Sequence, residues 1–505
     1  MNAPRLNRVL LILIVGLALG GVLLSTRNGI GTSPDSAVYL GAAANVQQGK
    51  GFSVPFGAEL DGPLTRFPPL YPLVLAGVGA LGIPSSHAGR VVSALALAGL
   101  VLVVAAFSPR VATAGVVGAM LLTVSPPITM IYQMAWSEGL FLLLGFSALL
   151  FLAWAIERKD RRWYWASVAA VALACLTRYA GIAFLVGAAA GVVLWDGEAA
   201  TTRLRRAVIY LAVGLLPLLL WMTAVASAGG GIGGRQAGLH APGQVHLQQT
   251  LGTLAGWLTV PVEASGWLKL GILCVFGVLV AGVALAPDGQ GDRPRASAPP
   301  IGLRLLAVTL VSYAFFLILV LTLVDANMPL DDRILSPFLV AAIVLMAFIF
   351  GRALGHRKGL AGVAFLSIGA IVMLLGARSL ALVREGSIHG IGFARAEWRD
   401  SETIARIRDL PQGIPVFSDS PEAIYLLTGR AARRWPRGFI LTSQSVNDRF
   451  GAELAEIDQV LSQSGGAAID FDRIDAEMEI ARLTAVPLRV IEASDGRIYE
   501  FGAGG

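Results

Sequence analysis

The stretch "VLLILIVGLALGGVLLSTRNGIGTSPDSAVYL", residues 9–40, decides the fold of this protein. Residues 9–25 contain no charged side chain, and this length and composition are typical of a helix that crosses a membrane. An acid, Asp35, follows shortly after that run, and Tyr39 comes one helical turn later. The rest of the chain has to explain why an acid lies so close to a membrane-spanning segment.

Composition places the whole chain in the membrane class. Of its 505 residues, 55% are apolar and only 14% are charged, with a mean hydropathy of +0.69, whereas soluble proteins carry about 25% charged residues. Apolar runs long enough to span predict a mainly α fold, a polytopic transmembrane helical bundle of about eleven spans. These runs lie near 9–25, 89–107, 111–128, 137–156, 163–178, 179–195, 207–227, 266–286, 305–324, 334–351 and 360–377.

The distribution of charge argues against nucleic acid as a partner. Residues 386–505 contain 13 Arg and 18 Asp or Glu, whereas residues 1–385 carry a net charge of +11. Basic residues concentrated in a membrane part set its topology. The two cysteines, Cys175 and Cys274, lie inside apolar runs and are interpreted as small core residues.

Topology depends on the short run "PPLYPLVLAGVGALGIP", residues 68–84, which has prolines at both ends. If it crossed the membrane, the later basic connections, such as "ERKDRR" at 157–162, would lie on the opposite side from Arg5 and Arg8. The positive-inside tendency therefore favours a re-entrant or interfacial helix. Residues 26–88 then form one long extracytoplasmic loop, hereafter the first loop, the N-terminus is a cytoplasmic uncleaved anchor, and the C-terminal region is extracytoplasmic.

The C-terminal region has the pattern of a small soluble α/β domain. The segment "GIPVFSDSPEAIYLLTGR", residues 413–430, predicts a strand, a turn and an amphipathic helix. The segment "VPLRVIEASDGRIYEFG", residues 486–502, predicts two strands around an Asp-Gly turn. We therefore divide the chain into a membrane domain, 1–385, and an extracytoplasmic α/β domain, 386–505.

Two acids, Asp35 and Glu138, are placed at the outer face by this topology, where burying a charge costs about 2.5–3.5 kcal/mol on insertion scales. Asp35 is interpreted either as a helix cap, together with Ser33, or as a general base. Tyr39, at i+4, would hydrogen-bond a ligand or orient the acid. Glu138 begins a helix, where the dipole favours an acid, or it is a second carboxylate that positions an acceptor or a divalent cation.

Two arginines are placed at the same face. Arg178 is explained by snorkelling to the interface or by a phosphate partner. Arg333 is neutralised by its neighbours Asp331 and Asp332, or it also binds phosphate, which guanidinium groups recognise well. His240 and His246 lack metal-ligand spacing, and the glycine-rich segment 229–234 is interpreted as a flexible connector.

The order of these segments resembles the GT-C superfamily, polytopic glycosyltransferases that use polyprenyl-phosphate sugars, and within it the bacterial protein-mannosyltransferase-like and aminoarabinose-transferase-like members. The likeness covers the whole chain, although each motif is short. The segments that carry it are "GKGF" (49–52), "FPPLYPLVLAGVGALG" (67–82), "WSEGLFLLL" (136–144), "LTRYAGIAFLVGAAAGVVLW" (176–195), "DDRILSPFLVAAIVL" (331–345) and "VFSDSPEAIYLLTGRAARRWP" (416–436).

This resemblance implies an inverting glycosyltransferase of the bacterial inner membrane. The donor would be a polyprenyl-phosphate monosaccharide, and the acceptor an extracytoplasmic glycan, lipid or protein. Asp35 and Glu138 take the catalytic positions. Ser36 stands where protein mannosyltransferases have a second acid, so no metal site is assigned and a divalent cation stays open as a cofactor. The substrate-binding set is Tyr39, Tyr71, Arg178 and Arg333. Tyr71 is also interpreted as structural, because with Pro68 and Pro69 it starts the interfacial helix.

Two other classes of function are compatible with such a composition. A transporter or lipid flippase also uses charges within the membrane, but there they mark a path near the bilayer midplane, often between inverted repeats. Here the charges gather at one face and no inverted repeat is visible. In a binding or structural protein the C-terminal domain, 386–505 (hereafter the tail), would carry the function, and the membrane part would only be an anchor. Eleven spans are more than an anchor needs.

Overall fold

Helices dominate the protein. The computed structural model describes residues 3–107, 112–227, 238–257, 260–261, 263–285, 300–354, 358–440, 444–471, 480 and 483–502. The helices in these residues are α1 Ala3–Ser25, α2 Pro34–Gln47, α3 Leu70–Ala80, α4 Ser85–Ala106, α5 Ala112–Thr123, α6 Pro126–Tyr132, α7 Glu138–Arg158, α8 Arg161–Thr177, α9 Gly181–Trp195, α10 Ala200–Ser227, α11 Gln244–Trp257, α12 Gly266–Leu285, α13 Ile301–Leu323, α14 Ser336–Leu354, α15 Lys358–His389, α16 Ala396–Arg399, α17 Glu402–Asp409, α18 Pro421–Thr428 and α19 Phe450–Ser464.

Every predicted apolar run corresponds to a helix, which confirms a polytopic helical bundle. Among the described residues, six helices are long and apolar enough to cross a membrane, or seven if α5 and α6 form one broken span with a bend of 64°. The break falls at Pro126, which has no N–H to continue the helix. Other apolar helices are shorter, so the count of eleven spans stays a prediction. The segment 229–234 lies outside the described residues.

The short run at 68–84 contains α3, which is only 11 residues long. At about 1.5 Å per residue it reaches about half the thickness of the hydrocarbon core. Tyr71, Leu75 and Ala76 form its buried side, which packs against α2 and α4. A helix of this length agrees with an interfacial or re-entrant position.

Small residues allow the helices of the bundle to approach closely, as is usual in membrane proteins. An added Cβ at Gly187 of α9 would lie 2.6 Å from the Cα of Thr309 of α13. An added Cβ at Gly145 of α7 would lie 2.9 Å from the ring of Phe184. The bundle that carries the charged helix ends is therefore tightly packed.

The C-terminal region contains a five-stranded mixed sheet in the order β4 (Arg433–Arg434), β3 (Val416–Ser418), β7 (Gly466–Asp470), β9 (Gly496–Phe501) and β8 (Arg489–Ala493). The predicted strand, turn and helix at 413–430 are confirmed as β3 and α18, and the predicted hairpin at 486–502 is confirmed as β8 and β9. The strands are β1 Ser53–Val54, β2 Gly62–Pro63, β3 Val416–Ser418, β4 Arg433–Arg434, β5 Phe439–Ile440, β6 Ser445–Val446, β7 Gly466–Asp470, β8 Arg489–Ala493 and β9 Gly496–Phe501.

The sheet lies at the same end of the bundle as the first loop. Helix α15 continues to His389, and near its end the carbonyl of Ser387 accepts a hydrogen bond from Arg27 Nε at 2.6 Å. The first loop also extends the sheet edge, because Gly57 N–H donates to the carbonyl of Ala432 at 3.1 Å and Arg434 N–H donates to the carbonyl of Gly57 at 2.7 Å. The tail is thus built onto the loop that contains Asp35.

Candidate active site

Four charged residues come together at one end of the helical bundle. Asp35 lies in the first turn of α2, Glu138 is the first residue of α7, Arg178 directly follows α8, and Arg333 lies between α13 and α14. Each position is at a helix end, because a charged side chain there reaches beyond the apolar part of its helix. The sequence singled out these four residues separately, and the tertiary structure brings them into contact.

One guanidinium group joins both acids. Arg333 Nη2 donates to Asp35 Oδ2 at 2.9 Å, and Arg333 Nε donates to Glu138 Oε1 at 2.8 Å. Arg178 Nη1 approaches the same oxygen, Glu138 Oε1, at 2.8 Å. Two cations and two anions therefore form one connected network, and Glu138 is shared by both arginines.

The members of this network differ in exposure. The side chain of Glu138 is 1% exposed, whereas those of Arg178, Arg333 and Asp35 are 19%, 18% and 20% exposed. Glu138 therefore forms the floor of the site, and the other three side chains keep a surface that a ligand can reach. Glu138 Oε2 is buried and has no hydrogen-bond partner among the described residues.

The proposed neutralisation of Arg333 by its own neighbours is wrong. Asp331 Oδ1 accepts the backbone N–H groups of Arg333 at 3.0 Å and Ile334 at 3.1 Å, which closes a tight turn. Asp332 Oδ1 accepts the indole N–H of Trp257 at 2.7 Å. Both neighbours fix the loop, and the guanidinium group is left to pair with acids from distant segments.

Asp35 is not the cap of its helix. Ser33 is the N-cap, because its side chain accepts the backbone N–H of Ser36 at 3.4 Å. Burial raises the pKa of the Asp35 carboxyl, but the charges of Arg333 and Arg66 lower it by more than burial raises it. The pKa of Asp35 therefore lies below its ordinary value. Asp35 is therefore ionised at neutral pH.

The two predicted tyrosines lie behind this network. Tyr39 is fully buried, and its hydroxyl lies 3.0 Å from Ser137 Oγ. The ring of Tyr71 meets that of Tyr39 edge-on at 5.0 Å, and the Tyr71 hydroxyl is buried without a hydrogen-bond partner among the described residues. In this structure Tyr39 contacts a protein side chain and not the open face of the site.

Two residues that we did not single out from the sequence touch the network. The Arg333 guanidinium lies 4.0 Å from the centre of the Trp136 ring, and Trp136 Nε1 donates to Ser33 Oγ at 2.8 Å. Ser137 Oγ accepts from Arg178 Nη1 at 3.1 Å. Their only sequence signal is that they directly precede Glu138 in "WSEGLFLLL".

The acids of the site bind guanidinium groups. Throughout the described ranges, no three His, Cys, Asp or Glu side chains form a group suited to a metal ion. His246, one of the two histidines considered from the sequence, has its Nε2 3.0 Å from the carbonyl of Ala326. The described site thus places two guanidinium groups in contact with two carboxylates at one end of the bundle.

Sequence comparison finds a match to one family model. Residues 66–226 match the model described as dolichyl-phosphate-mannose-protein mannosyltransferase. This region runs from α3 into α10 and contains Tyr71, Glu138 and Arg178, whereas Asp35 and Arg333 lie outside it. No curated protein sequence matches the chain.

Structure comparison finds matches over nearly the whole chain. ArnT from Cupriavidus metallidurans bound to undecaprenyl phosphate is 14% identical, with a TM-score of 0.61 and coverage of 97% of both chains. The arabinofuranosyltransferase AftD from Mycobacteria is 14% identical, with a TM-score of 0.59 over 98% of this chain and 40% of that one. The archaeal oligosaccharyltransferase AglB from Archaeoglobus fulgidus, in complex with an inhibitory peptide and a dolichol-phosphate, is 12% identical, with a TM-score of 0.52 over 94% and 70%.

These matches are all to GT-C glycosyltransferases, so the chain has the GT-C fold. The polytopic helical fold expected from the short motifs is confirmed, whereas the number of spans and the extracytoplasmic position of the C-terminal region stay predictions. At these identities the likeness concerns the fold, and the chemistry has to be argued from the side chains of this protein.

Proposed function

We propose that this protein is an inverting glycosyltransferase of the bacterial inner membrane that transfers a sugar from a polyprenyl-phosphate monosaccharide to an extracytoplasmic glycan, lipid or protein. One observation carries the proposal: two partly exposed arginines are held over a buried glutamate, next to a partly exposed aspartate, at one end of a membrane bundle. The family description and the lipid phosphate bound to ArnT support the same class of donor.

The arginines would bind the phosphate of the donor. Guanidinium groups form paired, charge-assisted hydrogen bonds with phosphate oxygens. Arg178 and Arg333 keep about a fifth of their surface open while Glu138 holds them side by side. As the bond to the sugar breaks, the polyprenyl phosphate takes the electron pair, and the two cations stabilise the added charge.

Asp35 would be the general base. The acceptor hydroxyl oxygen attacks the anomeric carbon, the bond from that carbon to the phosphate oxygen breaks, and the hydroxyl proton passes to Asp35. In the structure described here Asp35 Oδ2 is bonded to Arg333, whereas Oδ1 has Arg66 at 4.0 Å. A donor phosphate that attracts Arg333 would weaken this bond and leave Asp35 a stronger base.

Glu138 would act on the arginines and not on the acceptor. Its side chain is almost completely buried, and one oxygen is already shared by Arg178 and Arg333. It would therefore set the position of the phosphate site. This assignment refines the role in acceptor positioning that the sequence favoured.

The site and the tail would both face the outside of the cell membrane. They lie at the same end of the bundle, because the ends of α1 and α15 are joined through Arg27 and Ser387. The positive-inside tendency of the connections at the opposite end supports the cytoplasmic position of that end. An acceptor outside the membrane would then reach the anomeric carbon at the interface.

The first experiment is a transfer assay with the purified protein. The protein is incubated with radiolabelled polyprenyl-phosphate monosaccharides and a membrane extract, beside Asp35→Asn. We expect label in a new product with wild type and at least about 100-fold slower transfer with the variant. Asp61→Asn is the matched control, because Asp61 lies in the same loop but pairs with the exposed Lys50.

The proposal fails if no donor gives transfer and Asp35→Asn behaves as wild type. In that case lipid movement across vesicles would become the activity to test, because the alternative class is a flippase. A divalent cation is tested in the same assay by adding a chelator, and a slower transfer rate would assign a cation to the reaction.

A further inference from the structure

We propose that Trp136 and Ser137 are positioning residues for the two phosphate-binding arginines, and that Tyr39 acts through Ser137. This inference rests on the proposed function and deepens it. Trp136, Ser137 and Glu138 are consecutive, and each touches at least one of the two arginines. The beginning of α7 thus holds the whole cationic pair.

Trp136 supports Arg333 from one side. The guanidinium lies 4.0 Å from the ring centre, in the range of a cation–π contact, and the ring is 9% exposed. The indole N–H donates to Ser33 Oγ, the cap of the helix that carries Asp35. Trp136 therefore fixes the position of Arg333 relative to Asp35.

Ser137 supports Arg178. Its hydroxyl is completely buried, accepts from Arg178 Nη1 at 3.1 Å and lies 3.0 Å from the hydroxyl of Tyr39. Because Ser137 Oγ accepts from Arg178 and a hydroxyl donates once, Ser137 can give its proton to Tyr39 or receive a second bond from it. Tyr39 thereby orients the hydroxyl that orients the arginine.

A bound phosphate would affect the ionic contacts of the two arginines but not their contacts with the neutral residues Trp136 and Ser137. A phosphate competes with Asp35 and Glu138 for the guanidinium groups because all of these partners are anions. Trp136 and Ser137 carry no charge, so an incoming phosphate does not displace them. They would keep the arginines in place while the ionic partners exchange, which preorganises the site for the leaving group.

Trp136 is tested by donor-phosphate binding. Affinity for undecaprenyl phosphate is measured with the full-length protein in lipid nanodiscs for Trp136→Leu and Trp136→Phe. We expect Trp136→Leu to lower affinity by about 3- to 30-fold, the equivalent of one cation–π contact. Trp136→Phe keeps an aromatic face and should recover part of that affinity.

A matched control lies in α7, the helix that begins two residues after Trp136. Trp154 of α7 also lies under an arginine, with Arg158 4.8 Å from its ring centre, but it is about 24 Å along the helix axis from Glu138 at the start of α7. Trp154→Leu should leave affinity unchanged. If Trp136→Leu and Trp154→Leu give the same affinity as wild type, Trp136 has no positioning role.

Ser137 is tested by a double-variant cycle. We expect Ser137→Ala to lower undecaprenyl phosphate affinity by about tenfold, because Arg178 loses one hydrogen bond that involves a charge. Tyr39→Phe should have a smaller effect, and the double variant should equal Ser137→Ala alone. If the two losses multiply, Tyr39 has a contact of its own and does not act through Ser137.

Ser167→Ala is the control for this cycle. Ser167 is also fully buried and lies 2.7 Å from a tyrosine hydroxyl, that of Tyr210, far from the site. It should leave affinity unchanged. Wild-type protein that neither binds undecaprenyl phosphate nor transfers sugar would reject the proposed function. Active wild type with unaffected Trp136 and Ser137 variants would reject only this inference.

Discussion

At the scale of single residues, the charge on Asp35 predicts how activity depends on pH. Burial raises the pKa of Asp35, but the charges of Arg333 and Arg66 lower it by a larger amount, so its pKa is below the ordinary value. A base must be deprotonated, so we expect transfer to be independent of pH near neutrality and to fall only below about pH 4. Arg66→Gln removes one of the lowering charges and should move this acid limb to higher pH, as measured by the pH profile of kcat/KM.

The same shift links Asp35 to stability. Because the pKa in the folded protein is below the unfolded value of about 3.9, the ion pair stabilises the fold above that pH and loses its effect as the pH falls through the folded value.

Arg406→Gln is a control for Arg66→Gln, because Arg406 is similarly exposed and pairs with Glu402 in the tail. An unchanged acid limb in Arg66→Gln would argue against Asp35 as the base.

Arg333 predicts the effect of exchanging one cation for another. Lysine keeps the charge but has a single nitrogen, whereas Arg333 reaches Asp35 and Glu138 through two different nitrogens. Arg333→Lys should therefore lower kcat/KM for the donor by about 10- to 100-fold, the equivalent of one lost charged hydrogen bond. Steady-state kinetics check this, and wild-type kcat/KM would contradict a paired role.

The buried position of Glu138 between two arginines predicts that removing its charge destabilises the protein. Glu138→Gln leaves Arg178 and Arg333 facing one another without the buried anion that both contact. A fully buried pair costs about 3–5 kcal/mol when broken, and the partial exposure of these arginines reduces the cost to about 1–3 kcal/mol. Thermal unfolding in detergent measures it, and Glu385→Gln, an exposed glutamate paired with Arg395, should leave Tm unchanged.

At the scale of elements, a close backbone approach connects α2 with the segment before α7. Gly31 N–H donates to the carbonyl of Gln133 at 2.8 Å, and Ala135 N–H donates to the carbonyl of Gly31 at 2.8 Å. An added Cβ at Gly31 would lie 2.8 Å from that Gln133 oxygen. Only glycine fits there, and this contact places Asp35 beside Glu138.

Gly31→Ala should therefore reduce both stability and transfer. Overpacking at a site that cannot relax costs about 1–3 kcal/mol, so we expect a lower Tm together with a slower transfer rate. Gly16→Ala in α1 is the control, because no atom lies within 4 Å of its added Cβ and alanine favours a helix. Equal behaviour of the two variants would contradict this account of the contact.

At the scale of the whole molecule, the tail supports the loop that carries the acid. Phe393 N–H donates to the carbonyl of Thr32 at 2.9 Å, and the rings of Phe56 and Tyr425 lie 5.2 Å apart. Helix α18 also packs on α2. The arginines, in contrast, lie at the ends of membrane helices, so loss of the tail should affect Asp35 more than the phosphate site.

Truncation after His389 tests this difference. We expect kcat to fall by about 10- to 100-fold, because misplacing a catalytic group by about 1 Å has effects of that size, while affinity for undecaprenyl phosphate changes little. A protein that ends at Asp400 retains Phe393 and should be less impaired. Wild-type kcat in the shorter protein would show that the tail does not position Asp35.

The amino-acid sequence by itself determined the apolar helices, the short α3, and the helix α18 and strands β3, β8 and β9 of the tail. These features follow from local patterns: apolar runs, prolines at their ends and an Asp-Gly turn. It also indicated Asp35, Glu138, Arg178 and Arg333, because a charge beside an apolar run is costly and needs a reason.

Only the tertiary structure decided which charges pair. The Arg333 guanidinium contacts Asp35 and Glu138, which are 298 and 195 residues away in the chain. Its neighbour Asp331 instead accepts the backbone N–H of Arg333. Pairing of this kind depends on how helices pack in three dimensions, and no local pattern encodes it. The roles of Trp136 and Ser137 could not be predicted from the sequence for the same reason. An uncharged residue at a helix start acquires its role from the distant side chain that it contacts.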